Sequence, residues 1–270
     1  MNYLLSDIAR IVGGELFGED LRVMEVATDS RSIVAAENVV FAAIDGKNHD
    51  GHQFVDRMVE RGVYAFIVER NIELPNKRCG VVKVESTIDA LQRLAAYHRQ
   101  QFKGEVVAIT GSNGKTIVKE WAARSMPDTV GSFASPKSYN SQLGVPLSLL
   151  MLGGNECVAF IEAGISHPGE MERLERMIRP EVVVMTTIGD AHQSNVVCIE
   201  EKVAEKLVLA KGAQTLIYHS DYEQIAQAVK SLSCAKVDAA DQSVGQISVC
   251  NDALREDAQL VMALGGVLGF

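Results

Sequence analysis

The stretch Val106-Val107-Ala108-Ile109-Thr110-Gly111-Ser112-Asn113-Gly114-Lys115-Thr116 decides how the rest of the chain is read. Residues 106–109 are an unbroken apolar run. A Gly-containing turn follows, and Gly114-Lys115-Thr116 opens a polar segment compatible with a helix. The order is strand, phosphate loop, helix. Successive backbone N–H groups and a helix N-terminus can hold a polyphosphate, a Lys ammonium can reach its outer phosphates, and a Thr hydroxyl can bind Mg²⁺. The general pattern asks for a Gly five residues before the Gly-Lys pair, and Ile109 stands there; Gly111 gives the tighter form Thr-Gly-x-x-Gly-Lys-Thr. The competing reading is an ordinary strand-to-helix turn with a surface Lys. Thr110, Gly111, Ser112, Asn113, Gly114, Lys115 and Thr116 are the expected nucleoside-triphosphate contacts.

Working outward, strands and helices alternate on the C-terminal side. Strands are expected at 158–161, 182–186 and Thr215–Tyr218, and helices at 119–125, 169–178, 199–210 and 222–232. Such alternation predicts a mostly parallel sheet covered by helices, with ligands at the carboxyl ends of the strands. That places Glu162 and His192 near the phosphate loop. Residues 235–250 have weak periodicity, and 251–270 read as one helix. On the N-terminal side, strands are expected at 39–44, Ala65–Val68 and 81–84. Helices are expected at 7–12, capped by Ser6, and at 54–61 and 87–102. Lys103-Gly104 marks a boundary, giving a small α/β domain over 1–102 and a phosphate-loop domain over 103–270.

The whole chain has 270 residues, 47% hydrophobic and 23% charged, which fits a soluble globular protein. A net charge of −9 disfavours non-specific nucleic-acid binding. No apolar stretch is long enough to span a membrane, and the N-terminus lacks the pattern of a signal peptide. Cys79, Cys157, Cys198, Cys234 and Cys250 form no Cys-x-x-Cys pair and read as buried thiols.

A triphosphate site needs hard oxygen ligands for Mg²⁺, and Thr116 and Glu162 are the first candidates. His192, in Gly189-Asp190-Ala191-His192, is either a site residue or a surface loop His. Lys206 lies among Glu200, Glu201 and Glu205, a context that by itself reads as a surface ion-pair helix. Asn140 precedes Gly144-Val145-Pro146, in a loop that approaches a ligand or merely turns. In the N-terminal part, Thr28-Asp29-Ser30-Arg31 and Asp50-Gly51-His52 combine acceptors and cations as a sugar-phosphate site would, or form two polar turns.

Taken together, these motifs resemble the Mur ligases of peptidoglycan synthesis. The resemblance rests on Thr28-Asp29-Ser30-Arg31, Asp50-Gly51-His52-Gln53-Phe54, the phosphate loop, Tyr139-Asn140 with Gly144-Val145-Pro146, Ile161-Glu162-Ala163-Gly164, His167-Pro168-Gly169-Glu170, and Ile188-Gly189 with Ala191-His192. It runs in order from residue 1 to about 220. It implies an ATP-dependent amide ligase with Mg²⁺, acting on UDP-N-acetylmuramoyl-tripeptide and D-alanyl-D-alanine through an acyl phosphate, in the cytoplasm. Asp29, Ser30, Arg31, Asp50 and His52 would lie in or beside the UDP pocket. Lys115 would contact the β- and γ-phosphates, Asn140 would line the substrate side, and Thr116 and Glu162 would hold one Mg²⁺. His192 would help hold a second, with Lys206 aligned to the family's carbamylated Lys.

The wording around Gly114 and Asn140 also resembles the form fused to an alanine racemase in some bacteria. Ile117, Ser141, Thr187 and Asp190 depart from common family residues, and Asp257 aligns with an Asn that recognises adenine. The family's C-terminal domain, fused or separate, is expected to be absent, so the chain alone would act as a partial ligase. The alternatives are a folylpolyglutamate-synthetase-like ligase, which would lack the N-terminal UDP motifs, and a non-catalytic nucleotide-sugar-binding module.

Overall fold

The computed structural model describes residues 1–33, 35–46, 50–73, 76–127, 129–189, 198–244 and 251–269. It divides into two compact units, Met1–Gln101 with Leu149–Gly153, and Phe102–Ser148 with Gly154–Phe270.

The first unit contains β1 (Tyr3–Leu4), α1 (Leu5–Val12), β2 (Glu15–Gly18), β3 (Arg22–Val23), β4 (Glu25–Ala27), β5 (Val39–Ala42), α2 (Val55–Glu60), β6 (Ala65–Val68), β7 (Gly80–Lys83) and α3 (Thr87–Gln101). Its five-stranded sheet has the order β2-β7-β6-β5-β4. All neighbours are parallel except the edge strand β2, which runs antiparallel to β7. Both faces of β5 and β6 are buried, which is why they read as solid apolar runs rather than alternating ones. Phe41 and Phe66 anchor a core with Met58, Val63 and Val81. Ser6 does not cap α1. Leu4 occupies the cap position without a side-chain bond, and Ser6 Oγ donates instead to Asp20 Oδ2 at 2.7 Å.

The second unit contains β8 (Glu105–Thr110), α4 (Lys115–Ser125), β9 (Ser132–Ala134), α5 (Gly144–Leu150), β10 (Val158–Glu162), α6 (Glu170–Ile178), β11 (Val182–Met185), α7 (Ile199–Leu207), β12 (Thr215–Tyr218), α8 (Glu223–Ala228), β13 (Ala235–Asp238) and α9 (Asp252–Leu268). The sheet order is β13-β12-β11-β8-β10-β9, and every pairing is parallel. The chain starts in the middle at β8, builds outward on one side through β9 and β10, then crosses to β11 on the other side. The reversal puts a crevice at the carboxyl end of β8, between β10 and β11.

One face of this sheet is covered by α4 and α9. Val107, Ile109, Phe160, Val184 and Ile217 pack there against Val118, Ala122, Leu260 and Leu264. Each such aliphatic side chain contributes about 1.5–3 kcal/mol by leaving water. Helix α9 runs through Gly265 and Gly266 despite their poor helix propensity, about 1 kcal/mol each relative to Ala. Asn251 caps its start by accepting from the Leu254 N–H at 2.9 Å. Of the cysteines expected to be buried, only Cys79 is so among the described residues; Cys157 and Cys198 are exposed, Cys234 is half-buried, and Cys250 lies outside the described residues. Among the described residues no helix is long and apolar enough to cross a membrane.

Candidate functional site

Parallel pairing fixes the site before any side chain is considered. Glu162, the last residue of β10, is in register with Ile109, and Met185 of β11 is in register with Thr110. Residues 111–114, 162–164 and 186–189 therefore emerge side by side.

Two glycines make the loop possible. Gly111 has φ +141° and Gly114 φ +82°. A Cβ on Gly111 would lie 1.9 Å from Thr186 Oγ1, and one on Gly114 would lie 2.3 Å from Asp257 Oδ1. Thr186 staples the loop to β11. Its buried hydroxyl lies 2.5 Å from the Asn113 carbonyl oxygen and 3.1 Å from that of Thr110, and the Ser112 N–H donates to the Thr187 carbonyl at 2.8 Å. Helix α4 then begins at Lys115, one turn earlier than the sequence pattern suggested.

Two ammonium groups converge on one carbonyl. Lys115 Nζ donates to Gly111 O at 2.9 Å and to Ser112 O at 3.1 Å, and Lys206 Nζ donates to the same Gly111 O at 3.0 Å. Burial pushes the Lys115 amine below its ordinary range, a shift the negative charge of Glu162 partly opposes. For Lys206 burial comes first, with Lys115 and Lys202 adding like-charge repulsion, and the amine falls to about 8. Both cations rest on neutral acceptors, so an incoming anion meets available positive charge.

Lys206 is not the surface residue its Glu-rich context suggested; it is only 8% exposed. Its neighbour Glu205 turns away and accepts from the N–H groups of Gly169 and Met171 at 2.7 and 3.3 Å, capping α6. One residue of helical rotation separates the two roles.

Glu162 is fully buried. Asn140 Nδ2 lies 3.5 Å from its Oε2, and the Gly164 N–H donates to the Asn140 carbonyl at 2.7 Å. Lys119, which the sequence reading did not single out, is also fully buried, with Nζ 3.0 Å from Glu162 Oε1. That contact falls outside hydrogen-bond geometry, so Oε1 has no hydrogen-bond partner. The available signal was spacing: Lys119 sits four residues after Lys115, on the same helix face, in the buried stripe of Val118 and Ala122. Asp257, on α9, is buried against Gly114 with Oδ1 unpartnered; burial, then Glu256, raises its carboxyl to about 6.

His192 and Asp190 lie outside the described residues. In the first unit, Asp29 and Arg31 form an exposed bidentate pair at 3.0 and 2.8 Å, which holds the Asp29 carboxyl down at about 2. Ser30 adjoins them, half-buried, and its carbonyl accepts from Arg61. His52 is buried; its Nε2 accepts from the Glu69 N–H at 2.9 Å, and its Nδ1 lies 2.7 Å from Asp50 Oδ1. Both ring nitrogens are thus engaged within the protein, and Arg70 also pairs with Asp50. His52 and Asp50 shape this loop from within.

Fold and site define a phosphate-loop α/β unit joined in one chain to a second α/β unit with its own mixed sheet. Two family models match it: the Mur ligase middle domain over residues 109–259, and the Mur ligase family catalytic domain over residues 22–99. The chain belongs to the Mur ligase family. It is 31% identical over 223 residues to the UDP-N-acetylmuramoyl-tripeptide–D-alanyl-D-alanine ligase of Bacillus subtilis, covering 80% of this chain and 48% of that protein. It is 35% identical over 190 residues to the Escherichia coli ligase of the same name, covering 70% and 40%. The chain thus spans about half the length of the curated relatives it matches, or less. Solved structures share the fold. A UDP-N-acetylmuramoylalanyl-D-glutamyl-2,6-diaminopimelate–D-alanyl-D-alanyl ligase from Acinetobacter baumannii superposes with TM-score 0.86 at 24% identity, over 100% of this chain and 66% of that one. A MurF ligase from Thermotoga maritima in complex with ADP gives TM-score 0.77 at 23% identity, over 92% and 64%.

Proposed function

We propose that this chain carries the nucleotide-sugar-binding and ATP-binding parts of a ligase that joins D-alanyl-D-alanine to UDP-N-acetylmuramoyl-tripeptide. The observation that carries the reading is the pair of ammonium groups, Lys115 and Lys206, resting on the Gly111 carbonyl of a phosphate loop beside the buried Glu162. The names of the relatives supply the substrates, and the ADP in the Thermotoga maritima structure supports the nucleotide. Residues 1–102 would bind the UDP end, with Asp29, Ser30, Arg31, Asp50 and His52 in or beside that pocket. Residues 103–270 would bind ATP through Thr110, Gly111, Ser112, Asn113, Gly114, Lys115 and Thr116. In this reading the ligase would act in the cytoplasm.

In the reaction, a terminal carboxylate oxygen of the tripeptide attacks the γ-phosphorus. The new O–P bond forms as the bond to the β-phosphate oxygen breaks, and ADP leaves. The D-alanyl-D-alanine amine then attacks the acyl carbon, phosphate departs, and the nitrogen loses a proton. Lys115 leaves the Gly111 and Ser112 carbonyls to neutralise the β- and γ-phosphates, and the loop N–H groups and the α4 N-terminus hold the phosphoryl oxygens. Asn140 orients Glu162 and borders the substrate side.

Mg²⁺ fits the residues present, because Thr116 offers a hydroxyl and Glu162 a buried carboxylate whose Oε1 accepts no hydrogen bond and meets only the Lys119 ammonium. When bound there it would neutralise phosphoryl charge. His192 and a carbamylated Lys206 would serve a second ion. Burial, then the like charges of Lys115 and Lys202, bring the Lys206 amine down to about 8, toward the neutral form that takes up CO₂.

The test is ATP-dependent phosphate release with Mg²⁺ and UDP-N-acetylmuramoyl-tripeptide, with and without D-alanyl-D-alanine. Release that needs both substrates is the expected result for a self-sufficient ligase. Saturable UDP-tripeptide binding without release is expected if a further domain completes the site. Failure to bind the UDP-tripeptide would overturn the reading.

A further inference from the structure

Lys119 is an expensive residue to bury. Its side chain and that of Glu162 are both 0% exposed. Long charged side chains are almost never fully buried unless paired, and an apolar residue of similar volume often serves stability as well. Its surroundings show what the charge is used for. Nζ lies 2.7 Å from the Ser135 carbonyl oxygen, 2.6 Å from that of Lys137, 3.0 Å from Glu162 Oε1 and 3.3 Å from Glu120 Oε1.

The two carbonyls belong to the turn that follows β9 and leads to Asn140. Lys137 adopts φ +51°, a left-handed conformation that needs holding in a residue other than Gly. The Ser135 hydroxyl accepts from the Glu162 N–H at 3.3 Å, so the same turn also touches the backbone of β10. The first turn of α4 thus carries Lys115 and Thr116, and the next turn carries the group that clamps Glu162.

We propose that Lys119 is a positioning residue for the Mg²⁺-binding carboxylate: it fixes the Glu162 side chain by ion pairing while closing the 135–137 turn that delivers Asn140 to the other carboxylate oxygen. The inference rests on the phosphate-loop reading above. Groups that orient a metal ligand are typically worth about 10–100-fold in metal affinity.

The experiment is ADP titration of the chain in Mg²⁺ and in EDTA, for wild type, Lys119→Met, Lys119→Gln, Glu162→Gln and the Lys119→Met/Glu162→Gln double variant. Wild type is expected to gain affinity from Mg²⁺. Lys119→Met should lose most of that gain, about 10–100-fold, while its binding in EDTA stays near wild type. The double variant should be no worse than Glu162→Gln alone, because the two residues act as one unit. Lys119→Gln keeps donors for the Ser135 and Lys137 carbonyls but has no charge for Glu162. It serves where the Met variant does not fold, and should show the same loss. A full Mg²⁺ gain in either Lys119 variant would overturn the proposal. So would equal losses with and without metal, which mark a purely structural role. Absence of ADP binding by wild type would overturn the phosphate-loop reading itself.

Discussion

Lys115→Ala is expected to abolish measurable ATP binding, with an affinity loss of at least about 100-fold. A charge-assisted hydrogen bond to phosphate is worth roughly 1.5–3 kcal/mol, and Lys115 would make such contacts to two phosphates. The resting place of the ammonium sets the size of this loss. It lies on two loop carbonyls, Gly111 and Ser112, not on a carboxylate. Moving to a phosphate therefore breaks no ion pair. The fold should survive, because Lys115 stands at the start of α4, half-buried, and the core contacts of that helix come from Val118 and Ala122. Titration calorimetry against ATP and Mg²⁺, with thermal unfolding as the control, checks both halves. Unchanged ATP affinity in a folded variant would remove the phosphate loop from the account.

The second large effect is Gly111→Ala. The added methyl would sit 1.9 Å from Thr186 Oγ1, a distance real carbon atoms do not tolerate, in a residue whose φ of +141° already disfavours a side chain. Neither partner can yield easily. Thr186 is buried and bonded to the loop, and the Gly111 carbonyl carries both ammonium groups. The variant should lose several kcal/mol, about 3 or more, from steric overlap and strain together, and what folds should not bind nucleotide. Denaturant unfolding with parallel ATP titration reads both. Wild-type stability and affinity would mean that the loop is wider than described.

The phosphate loop, the alternation of strands and helices, and Glu162 at a strand end all follow from local pattern. Solid apolar runs such as 182–185 mark strands buried on both faces. The edge strands β9 and β13 do not announce themselves: three residues in one case, a half-exposed Ala-Lys-Val-Asp in the other. Periodicity fails where only one side needs burying and the segment is short.

The site was half legible for a related reason. Lys206 hides among glutamates, and only the folded helix reveals that Glu205 caps α6 while Lys206 turns inward. Lys119 carries no local signal, because a Lys within a helix is ordinarily solvated; its burial depends on a carboxylate brought in by β10, 43 residues further along. Ser6 does not make the cap its position suggests, because Asp20, on another segment, offers it a stronger acceptor. The general behaviour of free thiols puts the cysteines at 157 and 198 inside, whereas both sit exposed in connections between elements.

The most direct test is a crystal structure of this chain with ADP and Mn²⁺ in place of Mg²⁺, the metal located by its anomalous scattering. The expected result is the β-phosphate in the 111–116 loop, Lys115 swung off the Gly111 carbonyl onto phosphate, and the metal coordinated by Thr116 and Glu162. A nucleotide bound away from that loop, or a metal that ignores Glu162, would contradict it.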